Sequence, residues 1–126
     1  MSYTNAVNLG SSHQEWLKSL DFYKDEIGFL EKRLTEVTTK NTHLDAKAGA
    51  EHFQNQFIIQ RNNIDELKHV INGHTHEVFE DVSKHVGRVE EGKMADHEKI
   101  GNEVNQLEKV INELRQEFNK YVAKWI

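Results

Sequence analysis

IGNEVNQLEKVINELRQEFNKYVAKW, residues 100–125, sets Ile100, Val104, Leu107, Ile111, Leu114, Phe118, Tyr121 and Trp125 at alternating steps of four and three. A repeat of about 3.5 residues keeps these side chains on one narrow stripe of a helix, the pattern of long helices packed side by side. Two more stripes precede it: Trp16, Leu20, Tyr23, Ile27, Leu30, Leu34, Val37, and Ala46, Ala50, Phe53, Phe57, Gln60, Ile64, Leu67, Ile71. No segment shows the alternation of a half-buried strand. The fold expected is all-α, an antiparallel bundle of long heptad-patterned helices.

Punctuation between the stripes sets the boundaries. Residues 1–11 have no periodicity and read as a flexible tail. Ser12 with Glu15 fits a capping box, which starts a first helix over about 12–41. Thr38 to Thr42 compete for the helix backbone and mark a turn. A second helix is expected over about 44–90 and a third over about 96–125, separated around Glu91-Gly-Lys-Met94. Asn72-Gly73 is a respectable helix stop and, taken as one, gives a four-helix up-and-down bundle. The stripe nevertheless keeps its phase across it, through Ile71, His74 and Val78, which favours an unbroken second helix. At about 46 residues that helix is about 70 Å long against about 45 Å for its neighbours. The shorter helices are therefore expected to cover it in a staggered way.

Composition narrows the function. The chain has 126 residues, no proline and no cysteine. One domain over 12–126 is expected, without disulfides, thiolate metal sites or thiol nucleophiles. Sixteen Lys and Arg against twenty-one Asp and Glu give a net charge of −5, which repels phosphate backbones and argues against nucleic acid. No apolar run is long enough for a membrane span and residues 1–14 lack a signal-peptide pattern, so the expected place is the cytoplasm. Serines lie outside any Gly-x-Ser-x-Gly turn, and adjacent carboxylates diverge on a helix. No catalytic constellation is visible, and the chain reads as a non-enzyme.

Eight histidines are the chemical lead. A buried di-iron centre needs two Glu-x-x-His motifs on different helices, whereas Glu66-Leu-Lys-His69 occurs once and faces outward with His76 and Glu80. His74, His85 and His97 sit on the seam instead. His85 and His97 lie equally far from the turn near residue 91, so they form the expected pair for a divalent metal, with Asp81, Asp96 or Glu98 as a further donor. The alternative is a pair of hydrogen-bonded structural histidines. Either way, two adjacent imidazoles cannot both charge cheaply, so this end should loosen below about pH 6. Gln60, polar on the seam, reads as a register-setting residue.

Phe22 and Phe29 on the first helix, and Ile58 and Ile59 on the second, fall off the stripes. They either widen the core face or form a second contact surface for another copy, since exposed apolar patches rarely persist on monomers.

The stretches Leu20-Asp-Phe-Tyr-Lys-Asp-Glu26, His52 to His69 (HFQNQFIIQRNNIDELKH) and Asn112 to Ile126 (NELRQEFNKYVAKWI) resemble a group of short bacterial all-helical proteins with no assigned activity. The likeness runs over most of residues 16–126. It implies an all-helical bacterial cytoplasmic protein and an uninterrupted second helix, and it implies no ligand residues.

Two functional expectations follow. The leading one is a non-enzymatic bundle acting through self-association, a homodimer with Phe22, Phe29, Ile58 and Ile59 as anchors, or through another protein partner, with no cofactor. The competing one is a metal-binding bundle using His85 and His97, with Glu66, His69, His76 and Glu80 as a weaker set.

Overall fold

The computed structural model describes the backbone of residues 3–85 and 88–126, and the side chains of residues 12–77 and 95–126. Three helices follow the three stripes: α1 (Ala6–Lys40), α2 (Leu44–His85) and α3 (Glu91–Trp125). α2 runs unbroken through Asn72-Gly73, so the four-helix alternative does not occur. A Cβ added at Gly73 would meet nothing within 4 Å, so no tertiary contact forces a break there. The glycine costs about 1 kcal/mol of propensity, which packing of the long helix absorbs.

The boundaries shift from expectation at one end of the bundle. α1 begins at Ala6, so Ser12 lies inside the helix and is no cap. α2 stops at His85 and α3 starts at Glu91. A short antiparallel ladder pairs β1 (Tyr3–Asn5) with β2 (Arg88–Glu90), where no strand was expected. The two segments directly precede the parallel helices α1 and α3, and pairing satisfies the segments' own backbone donors and acceptors.

The turn at residues 41–43 is tight. Asn41 Nδ2 donates to Val37 O (2.9 Å) and to Trp125 O (2.7 Å), closing the ends of α1 and α3 together. The Asp45 backbone N–H donates to His43 Nδ1 (3.1 Å), satisfying one orphan donor at the start of α2.

α1 and α3 run parallel, with α2 antiparallel to both. The contacts His13–His97, Tyr23–Glu108, Glu26–Arg115 and Asn41–Trp125 join residues 84 to 89 apart in the chain, an almost constant register along the bundle. The expected stagger is absent. α1 meets α2 from Glu31–Arg61 to His13–Thr75, and α3 meets α2 along a stretch that overlaps this one, from Ala46–Tyr121 to His74–His97. α2 is shorter than expected and α1 extends further upstream, so α1 and α3 have 35 residues each against 42 in α2.

The stripes form the core. Leu20, Ile27, Phe57, Ile64, Ile71 and Phe118 are inaccessible to solvent. Burying each such side chain contributes about 1.5–3 kcal/mol. Gln60 is buried on the seam as anticipated, and Asn63 Nδ2 donates to its Oε1 (3.4 Å). Ion pairs flank the seam: Arg61–Glu31, Lys68–Asp21, Arg115–Glu26, and Lys24–Asp65 at 2.7 Å. Each is worth only about 0–1 kcal/mol where solvent reaches it, so they fix register more than stability. Among the described residues, no helix is long and apolar enough to cross a membrane.

Candidate metal centre

One seam layer is built of imidazoles. His13 from α1, His74 from α2 and His97 from α3 are 2%, 5% and 8% exposed. One nitrogen of each lies within 4.8 Å of the others. The His13–His74 and His13–His97 ring centroids are 5.0 and 5.2 Å apart. Each histidine occupies a stripe position, three or four residues from Trp16, Ile71 and Ile100, so heptad register alone turns all three inward.

The tautomer of His13 is fixed by its surroundings. Thr75 Oγ1 donates to Ile71 O (2.9 Å), which commits its only proton. At 2.8 Å from His13 Nδ1, the hydroxyl therefore accepts from Nδ1–H. This leaves His13 Nε2 as an acceptor, and His97 Nδ1–H donates to it across 3.2 Å; a metal ion bound there would take the place of that proton. Two imidazole nitrogens on a tetrahedral ion, each about 2.0–2.1 Å from it, are about 3.3 Å apart. The observed separation matches that edge. A ligand histidine held by a hydrogen bond at its other nitrogen is also the usual second-shell arrangement.

Electrostatics favour the neutral form of two of the rings. Burial, then the neighbouring His74 and His97, pull the His13 pKa down to about 4. Burial, then His74, also lowers that of His97, while Glu98 opposes. Neutral imidazole is the ligating form.

Trp16 covers the α1–α3 side. Its ring packs on His97 at a tilt of 36° with centroids 4.5 Å apart and lies 5.5 Å from His13. Gly101 admits it: an added Cβ there would stand 3.1 Å from Trp16 Cζ2. The α2–α3 side is open, a groove of about 410 Å³ whose walls include His74, Glu77, Asp96 and Lys99. His74, Glu77 and Asp96 bring donor atoms within 4.8 Å of one another, so a second donor set meets the first at His74.

Of the residues singled out from the sequence, His97 and His74 lie in this layer. The expected pairing of His97 with His85 cannot be placed, because the side chain of His85 lies outside the described residues, as do those of Glu80 and Asp81. Glu66, His69 and His76 are exposed. Phe22, Phe29, Ile58 and Ile59 are 61%, 70%, 44% and 46% exposed and belong to no core cluster, so within one chain they do not widen the core. His13 and Thr75 were not anticipated. The signal for His13 was present: it stands three residues before Trp16, on the stripe itself. Comparison with protein families, curated proteins and solved structures gives no match for the chain.

Proposed function

We propose that this protein is a metal-binding three-helix bundle that holds one divalent first-row ion, Zn²⁺ in kind, on His13, His74 and His97. The observation that carries the reading is the convergence of one buried imidazole from each helix, with the His13 tautomer set by Thr75 so that Nε2 faces the other rings as an acceptor. Borderline nitrogen donors in a compact triangle suit Zn²⁺ and its neighbours rather than Mg²⁺ or Ca²⁺, which take oxygen.

The test is titration of untagged, chelator-stripped protein with Zn²⁺ in competition with a chromophoric chelator. One ion per chain with Kd below about 1 μM is expected. Thr75→Val should weaken binding about 10- to 100-fold by releasing the second-shell contact. Saturation above one equivalent, or no competition at all, would refute the reading.

The exposure of Phe22 and Phe29 favours a second reading, self-association through the outer face of α1. Sedimentation should then show a dimer that Phe22→Ser with Phe29→Ser converts to a folded monomer; a monomeric wild type rules it out.

A further inference from the structure

The groove beside the histidines is built more like an entrance than a wall. It continues along α2 and α3 from His74 to Gln60, its two halves sharing Val70 and Glu103, with Leu67, Leu107, Val110 and Ile100 as apolar lining. Glu77 and Asp96 stand at its mouth, both solvent-exposed. They approach His74 but not the whole triangle: the two donor sets have only His74 in common. Ligands of one ion lie at most about 4.2 Å apart, twice a metal–ligand bond. The carboxylates therefore stand outside the donor set formed by the three imidazoles, on the groove side of His74. Three protein ligands with a solvent-facing fourth position is the arrangement of catalytic rather than structural zinc sites.

Resting on the metal-binding reading above, we infer that the fourth position carries a water directed into the α2–α3 groove, and that the site hydrolyses small carboxylic esters that are neutral or cationic. An ion held by the three imidazoles would polarise the water. Glu77, one helical turn from His74, takes its proton, and Asp96 is a second acceptor that orients it. The water oxygen bonds to the carbonyl carbon. The bond to the leaving oxygen then breaks, its electron pair stays on that oxygen, and Glu77 returns the proton to it, giving acid and alcohol. Substrate charge follows from the lining: Glu66, Glu77, Asp96 and Glu103 outweigh Lys99, so anionic esters are repelled while the apolar lining receives an acyl group.

The experiment compares zinc-loaded full-length protein with stripped protein and with free Zn²⁺, using 4-nitrophenyl acetate and 4-nitrophenyl phosphate. Zn²⁺ affinity is measured on the same samples. Hydrolysis of the acetate at least about 10-fold above both controls is expected, with no such gain for the phosphate. Glu77→Gln with Asp96→Asn, surface changes that leave the core intact, should cut the rate by about 10² while Zn²⁺ affinity stays within about 3-fold. Tight zinc binding without ester hydrolysis overturns this inference and leaves metal binding standing. A drop in Zn²⁺ affinity of about 10-fold or more in the double variant also overturns it, because a carboxylate would then be the fourth ligand. Absence of zinc binding removes both readings.

Discussion

At one end of the seam Phe53, Phe57, Phe118 and Tyr121 pack ring against ring; at the other, His13, His74 and His97 do the same. The geometry is alike. Phe53–Phe118 and Phe57–Phe118 are edge-to-face at 5.3 and 5.2 Å, and His13–His74 is edge-to-face at 5.0 Å. The chemistry is opposite. The phenyl rings offer only apolar area, worth about 0.5–1.5 kcal/mol per ring pair beyond burial. The imidazoles bring polar nitrogens into the same kind of space, and each buried polar atom costs free energy unless it finds a partner. One heptad seam thus ends in an aromatic plug at one pole and in a layer of buried imidazoles at the other.

The largest effect should come from breaking the aromatic end. Phe118→Ala removes a ring with no solvent exposure that touches three others, and should cost about 3–5 kcal/mol in urea unfolding. His97→Leu, of comparable bulk, keeps the volume filled but leaves His13 Nε2 without its partner, so it should cost about 1–3 kcal/mol in metal-free protein, less than the aromatic truncation. Equal losses for the two variants would erase the distinction between the poles.

Protonation separates the poles next. His13 titrates near 4 when folded and at 6.5 when unfolded. Below 6.5 the unfolded chain takes a proton that the folded chain refuses. Stability is full above that point, falls as the pH drops toward 4, and the loss reaches roughly 3 kcal/mol. Tyr121, which donates to Ala46 O at 2.5 Å, has the reverse sensitivity. Burial raises its pKa above 10.0, so stability is full below that value and falls as pH rises past it. Hydrogen exchange should show the histidine pole opening first in acid and the aromatic pole in alkali. Uniform opening at pH 5 would contradict the assignment.

The smallest effect comes from two glycines, one near each pole. A Cβ at Gly73 meets open space, so Gly73→Ala should stabilise by about 1 kcal/mol through helix propensity. A Cβ at Gly49 runs into the Tyr121 ring, so Gly49→Ala should destabilise despite the same propensity gain. Thermal melts of the pair read the difference; shifts of the same sign would count against close packing at the aromatic pole.

Much of this was legible in the residues. Most stripe residues named from spacing are buried, with Trp16, Tyr23, Leu30 and Trp125 partly so, because a period of about 3.5 leaves a helix one face to bury. The continuity of α2 was legible because phase carried across Gly73. The start of α1 was not, since Ser12 and Glu15 satisfy a capping pattern that an ongoing helix overrides, and this hid His13 in a presumed terminus. The alignment of the helices was missed because stagger depends on where each turn falls, and a few residues at each end shift the whole register. Thr75 was unreadable for a different reason. Its role rests on which proton goes to Ile71 O, a fact of three-dimensional hydrogen bonding with no trace in spacing.

Trp16 has one further consequence, and it is optical. The chain has two tryptophans, and the structure parts them: Trp16 lies on the histidine layer, whereas Trp125 sits by His43 and Asn41 at the far end. Each indole therefore senses its own pole. In a Trp125→Phe background, emission comes from the ring packed on His97 alone, and quenching by a charged imidazole or a paramagnetic ion would report events in that layer without an added dye.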